Sequence, residues 1–262
     1  MCYSNVLNYQ IYHHQTNAPW VTFVHGAGGS SSIWYKQIRD FQKDFNVLLL
    51  DLRGHGASKS GKNKRNYTFD SIGNDVIEVL NHLKITKSHF IGISLGTIII
   101  RELAERFPTM VSSMIMGGAV MKLNVKSQIL MHTGNLLKSV LPYLLLYKMF
   151  ALVIMPQKKH RESRNLFINE AKKLYQKEFK RWFKLVSQVN ALLHFFRINE
   201  SNIPTLYIMG SEDHLFLPSI SKLVKDHRNS SLHVISDCGH VVNVDQPREF
   251  NSITIDFLKQ ID

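Results

Sequence analysis

The sequence predicts an α/β protein with a mostly parallel, doubly wound sheet. Three observations carry that prediction. Short β-branched and aromatic runs alternate with helical patterns in both the first and the last part of the chain. Residues 45–50 form a continuous apolar run, as expected of a strand buried on both faces. Reactive residue types recur directly after the predicted strands, where such sheets place their chemistry.

In chain order, residues 7–12 and 20–24 are rich in β-branched and aromatic side chains and read as strands. Residues 33–41 read as a helix and 45–50 as the next strand. Over 69–83, apolar positions Ile72, Val76, Val79, Leu80 and Leu83 recur at a helical period. Residues 89–93 read as a strand and 95–107 as a helix stopped by Pro108, with a further strand over 111–116. The alternation then breaks. Residues 120–202 carry only helical patterns, among them Phe167, Ala171, Leu174, Glu178, Trp182, Val186 and Val189. It resumes with strands at 205–209 and 232–235 and helices at 218–226 and 247–259. The expected organisation is a core of residues 1–119 and 203–262 with a helical, basic segment of residues 120–202 inserted in it.

Composition sets outer bounds. With 262 residues, 44% of them hydrophobic and 10% aromatic, the chain has enough apolar material for one large core. Its two cysteines, Cys2 and Cys238, define no disulfide framework and no metal-ligand spacing, so a reducing, cytoplasmic setting is the simpler expectation. Residues 1–10 lack the basic-then-apolar pattern of a secretory signal. The most apolar stretch, residues 140–156, contains Pro142 and Lys148 and is shorter than the roughly 20 apolar residues of a spanning helix. It reads as a buried or interfacial helix.

The net charge of +12 is unevenly spread. Residues 120–200 hold 15 Lys and Arg against 4 Asp and Glu, whereas the remainder is nearly balanced. A solvated basic face is the simpler reading. The sharper one is attraction to an anionic membrane or an acidic head group. Lys172, Lys173, Lys177, Lys180, Arg181 and Lys184 share a helical pattern with Phe179, Trp182 and Phe183, as in a helix lying on a membrane surface. No nucleic-acid motif accompanies the charge, so nucleic acid is not an expected partner. Oligomeric state is not legible.

Four segments at predicted strand ends carry the chemistry. Gly92-Ile93-Ser94-Leu95-Gly96 reads G-x-S-x-G between a strand and a helix, a setting that pushes a serine hydroxyl out above the sheet. His25-Gly26-Ala27-Gly28-Gly29 is a glycine-rich loop able to point N–H groups into a site. Gly210-Ser211-Glu212-Asp213-His214 offers two carboxylates, and Cys238-Gly239-His240 a histidine. A serine hydroxyl needs an adjacent base, which His240 supplies, and Asp213 can orient the imidazole. The N–H groups of Ala27 and Leu95 are the candidate oxyanion donors. His25 reads as loop-shaping, Asp51 and Arg53 as structural, and His55, His82 and His214 have no assigned role.

On these residues the chain resembles the α/β-hydrolase superfamily, in its lid-bearing serine esterase and lipase-like branch. The order Ser94, Asp213, His240 is the family's nucleophile–acid–histidine order. Asp51-Leu52-Arg53-Gly54-His55-Gly56-Ala57-Ser58 is similar to the family's D-x-R-G-x-G-x-S, and residues 240–247 to its histidine loop. Within the acid loop, the place of Asp213 after Gly210 fits the family pattern. Thr97 departs from it, since many relatives carry glycine there. The resemblance implies a sheet of about eight strands and a lid where residues 120–202 lie. It also implies an acyl-enzyme mechanism that needs no metal or organic cofactor. Serine at position 94 argues against the dehalogenase and epoxide hydrolase branches, which use aspartate. The expected substrates are short to medium acyl esters or monoacylglycerol-like lipids, with Leu144, Leu145, Met149 and Phe150 forming an acyl pocket. Thioesters, amides, carbon–carbon bonds, or a ligand-binding receptor on the same scaffold are the alternatives.

Overall fold

The computed structural model describes residues 7–58, 67–137 and 140–261. Within them a seven-stranded sheet has the order β1-β3-β2-β4-β5-β6-β7, formed by Tyr9–Tyr12, Trp20–Val24, Asn46–Leu50, Ser88–Ile93, Val111–Gly117, Thr205–Gly210 and Ser230–Ile235 (β1 to β7 in chain order). Only β1 runs antiparallel, against β3; the other pairings are parallel. The resemblance implied about eight strands, and the described residues hold seven.

Strand side chains alternate between two apolar layers, as the pleat requires. Val47 and Leu49 of β3 join one layer, Leu48 and Leu50 the other. The first layer includes Phe41 of α1 (Ile38–Phe41), together with Phe250 and Leu258 near the carboxyl terminus. The second includes α2 (Phe69–His82) and α3 (Leu95–Arg106). Helix α2 starts where Thr68 and Ser71 cap one another reciprocally, each hydroxyl accepting from the other's backbone N–H. The expected helix over 33–41 divides instead into a tight turn of 3-10 helix at Ser31–Trp34 and α1. Successive i to i+3 backbone bonds, such as Tyr35 to Ser32 and Gln37 to Trp34, tighten the chain there.

Between β5 and β6 the described residues form five α-helices: α4 (Val125–Leu137), α5 (Tyr143–Ile154), α6 (Arg161–Ala171), α7 (Gln176–Ser187) and α8 (Asn190–Ile198). The single apolar period read across residues 167–189 is broken by a turn between α6 and α7. Several buried or half-buried hydrogen bonds tie this insert to the sheet domain. Trp182 Nε1 donates to the Arg53 carbonyl (2.9 Å), Ser30 Oγ donates to Glu170 (2.6 Å), and Tyr67 donates to Glu178. The chain closes with α9 (Leu217–Asp226), α10 (Val242–Asp245) and α11 (Pro247–Lys259). Among the described residues no helix is long and apolar enough to cross a membrane.

Strand β2 lies between β3 and β4, so the chain leaves it in opposite directions on its two sides. That is the topological switch point, where a crevice opens at the carboxyl ends of the strands. The loops after β2 and β4 both end there.

Candidate active site

Ser94 follows β4 and opens α3 with φ 53° and ψ −119°, a conformation that L-residues rarely hold. The turn closes only because its two flanking glycines lack side chains. A Cβ on Gly96 would stand 2.3 Å from the Val24 carbonyl oxygen, and one on Gly92 2.6 Å from Ile100 Cδ1. Thr97, the departure from the family pattern, fits without displacing the turn. It is buried and donates its hydroxyl to the Ser94 carbonyl at 2.6 Å.

Asp213 and His240 come from the loops after β6 and β7 and meet Ser94 over the sheet. His240 Nδ1 lies 2.7 Å from Asp213 Oδ2, and His240 Nε2 lies 3.0 Å from Ser94 Oγ. Asp213 is almost fully buried, and its Oδ1 accepts the Phe216 N–H at 3.2 Å. A carboxylate only accepts hydrogen bonds, so Nδ1 carries the imidazole proton and Nε2 faces the serine hydroxyl as an acceptor. The Phe216 ring, centred 5.2 Å from the imidazole, flanks it. The second acid, Glu212, turns away to Lys159 (2.5 Å) and His160 (2.9 Å). Cys238 is buried, and burial pushes its thiol pKa up, which keeps it protonated and unreactive.

Ala27 and Leu95 sit beside Ser94, and among the described residues neither N–H has a hydrogen-bond acceptor. For Leu95 this follows from its place as the first residue of α3, where helix geometry leaves N–H groups unpaired. Two unpaired donors beside a serine paired with an imidazole can hold negative charge on a carbonyl oxygen.

A buried frame holds the glycine-rich loop, and it includes His55, to which the sequence reading assigned no role. His25 Nδ1 donates to the Gly26 carbonyl (2.8 Å), and its Nε2 accepts the Leu52 N–H (3.0 Å). His55 Nδ1 contacts the Arg53 carbonyl (3.2 Å), and its Nε2 accepts the Gly28 N–H (3.0 Å). Each ring uses one nitrogen as donor and one as acceptor, so each is neutral. Burial lowers the pKa of both, and for His55 the neighbouring His25 lowers it further. Asp51 accepts the N–H groups of Ser31 and Ala57, and Arg53 binds Asp75 through two bonds of 2.7 and 2.6 Å. The signal available was a histidine after each of two adjacent strands; their rings lie 5.0 Å apart. Among the described residues, His82 and His214 join none of this, and no group of three or more His, Cys, Asp or Glu is placed to hold a metal ion.

A cavity of about 190 Å³ opens onto Ser94 and His240. Its walls are mostly apolar and largely supplied by the insert, with Met131, Tyr147, Phe150, Phe179 and Phe183 among them. Of the four residues expected to form an acyl pocket, only Phe150 lines it. Leu145 and Met149 are exposed, because the helical period of α5 turns Tyr147, Phe150 and Ile154 inward and these two outward; Leu144 is half-buried and off the wall. The insert also contributes Glu170, a buried carboxylate bound by Ser30 and by Lys173 Nζ (2.5 Å).

Sheet order and switch-point crevice are those of the α/β-hydrolase fold, and the Ser94–His240–Asp213 chain lies at that crevice. Comparison with known proteins agrees, since the family model described as alpha/beta hydrolase fold matches residues 19–143. The chain is 28% identical to "Putative carbamate hydrolase RutD" of Acinetobacter baylyi, over 97% of this chain and 98% of that one. It is 24% identical to human Epoxide hydrolase 4, over 92% and 73% of the two chains. The crystal structure of the enol-lactonase from Burkholderia xenovorans superposes with a TM-score of 0.80 at 20% identity, covering 97% and 96%.

Proposed function

We propose that the protein is a serine hydrolase that cleaves carboxylic esters with apolar acyl groups. The observation that carries this reading is the unbroken chain from Asp213 through His240 to Ser94 Oγ at the floor of an apolar cavity. In this mechanism His240 Nε2 takes the Ser94 proton as Oγ attacks the ester carbonyl. Asp213 stabilises the imidazolium. The N–H groups of Ala27 and Leu95 hold the oxyanion. His240 then protonates the leaving alkoxide, which departs as the alcohol. Water, deprotonated by His240, releases the acid from the acyl-enzyme and restores Ser94. Residues 120–202 act as the lid whose inner side chains receive the acyl chain. Names given to similar proteins support hydrolysis while differing in the bond cleaved; the enol-lactonase among them acts on an ester-type bond.

A fluorophosphonate probe should label Ser94, and Ser94→Ala should lower ester turnover by at least about 10⁴-fold with the fold intact. A chain-length series of p-nitrophenyl esters should favour short to medium acyl groups over strongly polar ones. Absence of labelling, or a Ser94→Ala variant as active as the parent, would overturn the proposal.

A further inference from the structure

Helix α5 is apolar all round except at Lys148, yet only one side of it is covered. Leu146, Tyr147 and Ala151 are buried, whereas Leu145 (43% exposed), Met149, Leu152 (55%) and Val153 lie open, at the i, i+4, i+7 and i+8 positions of one face. A helix hydrophobic on every side is ordinarily enclosed. Helix α4, which packs on α5, repeats the pattern: Val125 (71%), Ile129 and Leu136 (64%) share one exposed face. Singly exposed apolar residues need no explanation, but two adjacent helices with such faces do.

The surrounding charge identifies the occupant. Residues 120–160 contain six lysines and no aspartate or glutamate. Lys148 lies among the exposed side chains of α5, and Lys122 and Lys158 flank the two helices in exposed positions. Protein interfaces favour tyrosine, tryptophan and arginine at their centres and are poor in lysine. The exposed faces here are mainly aliphatic, with His132 on that of α4, and Lys122, Lys148 and Lys158 lie on or beside them. Aliphatic side chains entering the acyl boundary, with lysines at the level of anionic head groups, suit a lipid surface. The basic helix α7 does not serve this purpose, because Phe179, Trp182, Phe183 and Leu185 on it are buried inside the protein.

We propose that the outer faces of α4 and α5 form a docking surface for an anionic lipid bilayer. The apolar residues enter the outer acyl layer, and the lysines bind the head-group phosphates. The inner face of α5 meanwhile lines the cavity above Ser94, so one helix borders both lipid and site. The inference rests on the surface alone, and vesicle binding by the Ser94→Ala variant tests it whether or not the protein is a hydrolase.

Flotation of the full chain with phosphatidylcholine vesicles, with and without phosphatidylglycerol, is the decisive measurement. Binding should require the anionic lipid and weaken with added salt. The double variant Leu145→Asp, Leu152→Asp should bind at least about tenfold more weakly, and Lys148→Glu several-fold more weakly, roughly as expected for exchanging apolar burial and basic charge at such a surface. Both should keep the circular dichroism spectrum and the turnover of a soluble short-chain ester. No association with anionic vesicles, or equal association with neutral ones, would overturn the proposal. So would a wild-type dimer in sedimentation that the double variant converts to monomer, which would assign the faces to a second copy of the chain.

Discussion

The position of one proton on His240 decides whether its Nε2 can accept the proton of Ser94. Asp213 determines it, because a buried carboxylate 2.7 Å from Nδ1 only accepts. An asparagine in its place can donate to Nδ1 instead, moving the ring proton to Nε2 and opposing it to the serine hydroxyl. Asp213→Asn should therefore lower kcat by about 10⁴-fold with little change in KM or melting temperature. Steady-state kinetics beside a thermal melt check this, and a loss that tracked unfolding would count against the assignment. At this scale the site was largely legible. Ser94, Asp213, His240 and the two backbone donors sit in short motifs whose neighbours along the chain reveal them. His55 was less so, because its work is done against a backbone group 27 residues away, Gly28. Glu170 gave no signal for a similar reason: the partner that ties it to the sheet domain, Ser30, lies 140 residues distant.

Elements were predicted well where period or punctuation was local. The capped start of α2 at Thr68 and the stop of α3 before Pro108 follow from side chains within a turn of the boundary. The inward and outward faces of α5 were not legible, since leucine occupies both and only tertiary packing distinguishes Leu145 from Leu146. Packing between elements also leaves a titration signature. Glu102 on α3 is buried against α2. Burial and then the nearby Asp70 carboxylate push its pKa up to about 7. Below the ordinary carboxylate pKa, Glu102 is protonated whether the chain is folded or not. Between there and about pH 7, the folded state alone keeps the proton, so stability falls as pH rises. Glu102→Gln removes that dependence. Urea unfolding should show the variant gaining on the parent from pH 5 to pH 8, and a difference that stays constant or shrinks would refute the attribution.

For the whole molecule, the question is how firmly the insert is held. Trp182, Leu185, Val189, Leu193 and Phe196, from α7 to α8, join the same buried layer as α2 and α3. Ala151 and Met155 anchor the end of α5 in the opposite layer. Helix α4 differs: none of its hydrophobic side chains is fully buried, and Met131 and Leu137 only reach the edge of packed clusters. Local opening follows the density of buried apolar contact, so α4 is the element that can lift from the cavity without unfolding the rest. Hydrogen exchange by mass spectrometry should find the α4 amides unprotected first and those of α7 and α8 close to the protection of the sheet. Equal protection in α4 and α7 would mean that the insert moves as one piece or not at all. Anionic vesicles supply the matching control. If the outer faces of α4 and α5 bind lipid, exchange should slow in those two helices and stay unchanged in α7 and α8, because the basic helix keeps its aromatic side buried in both states.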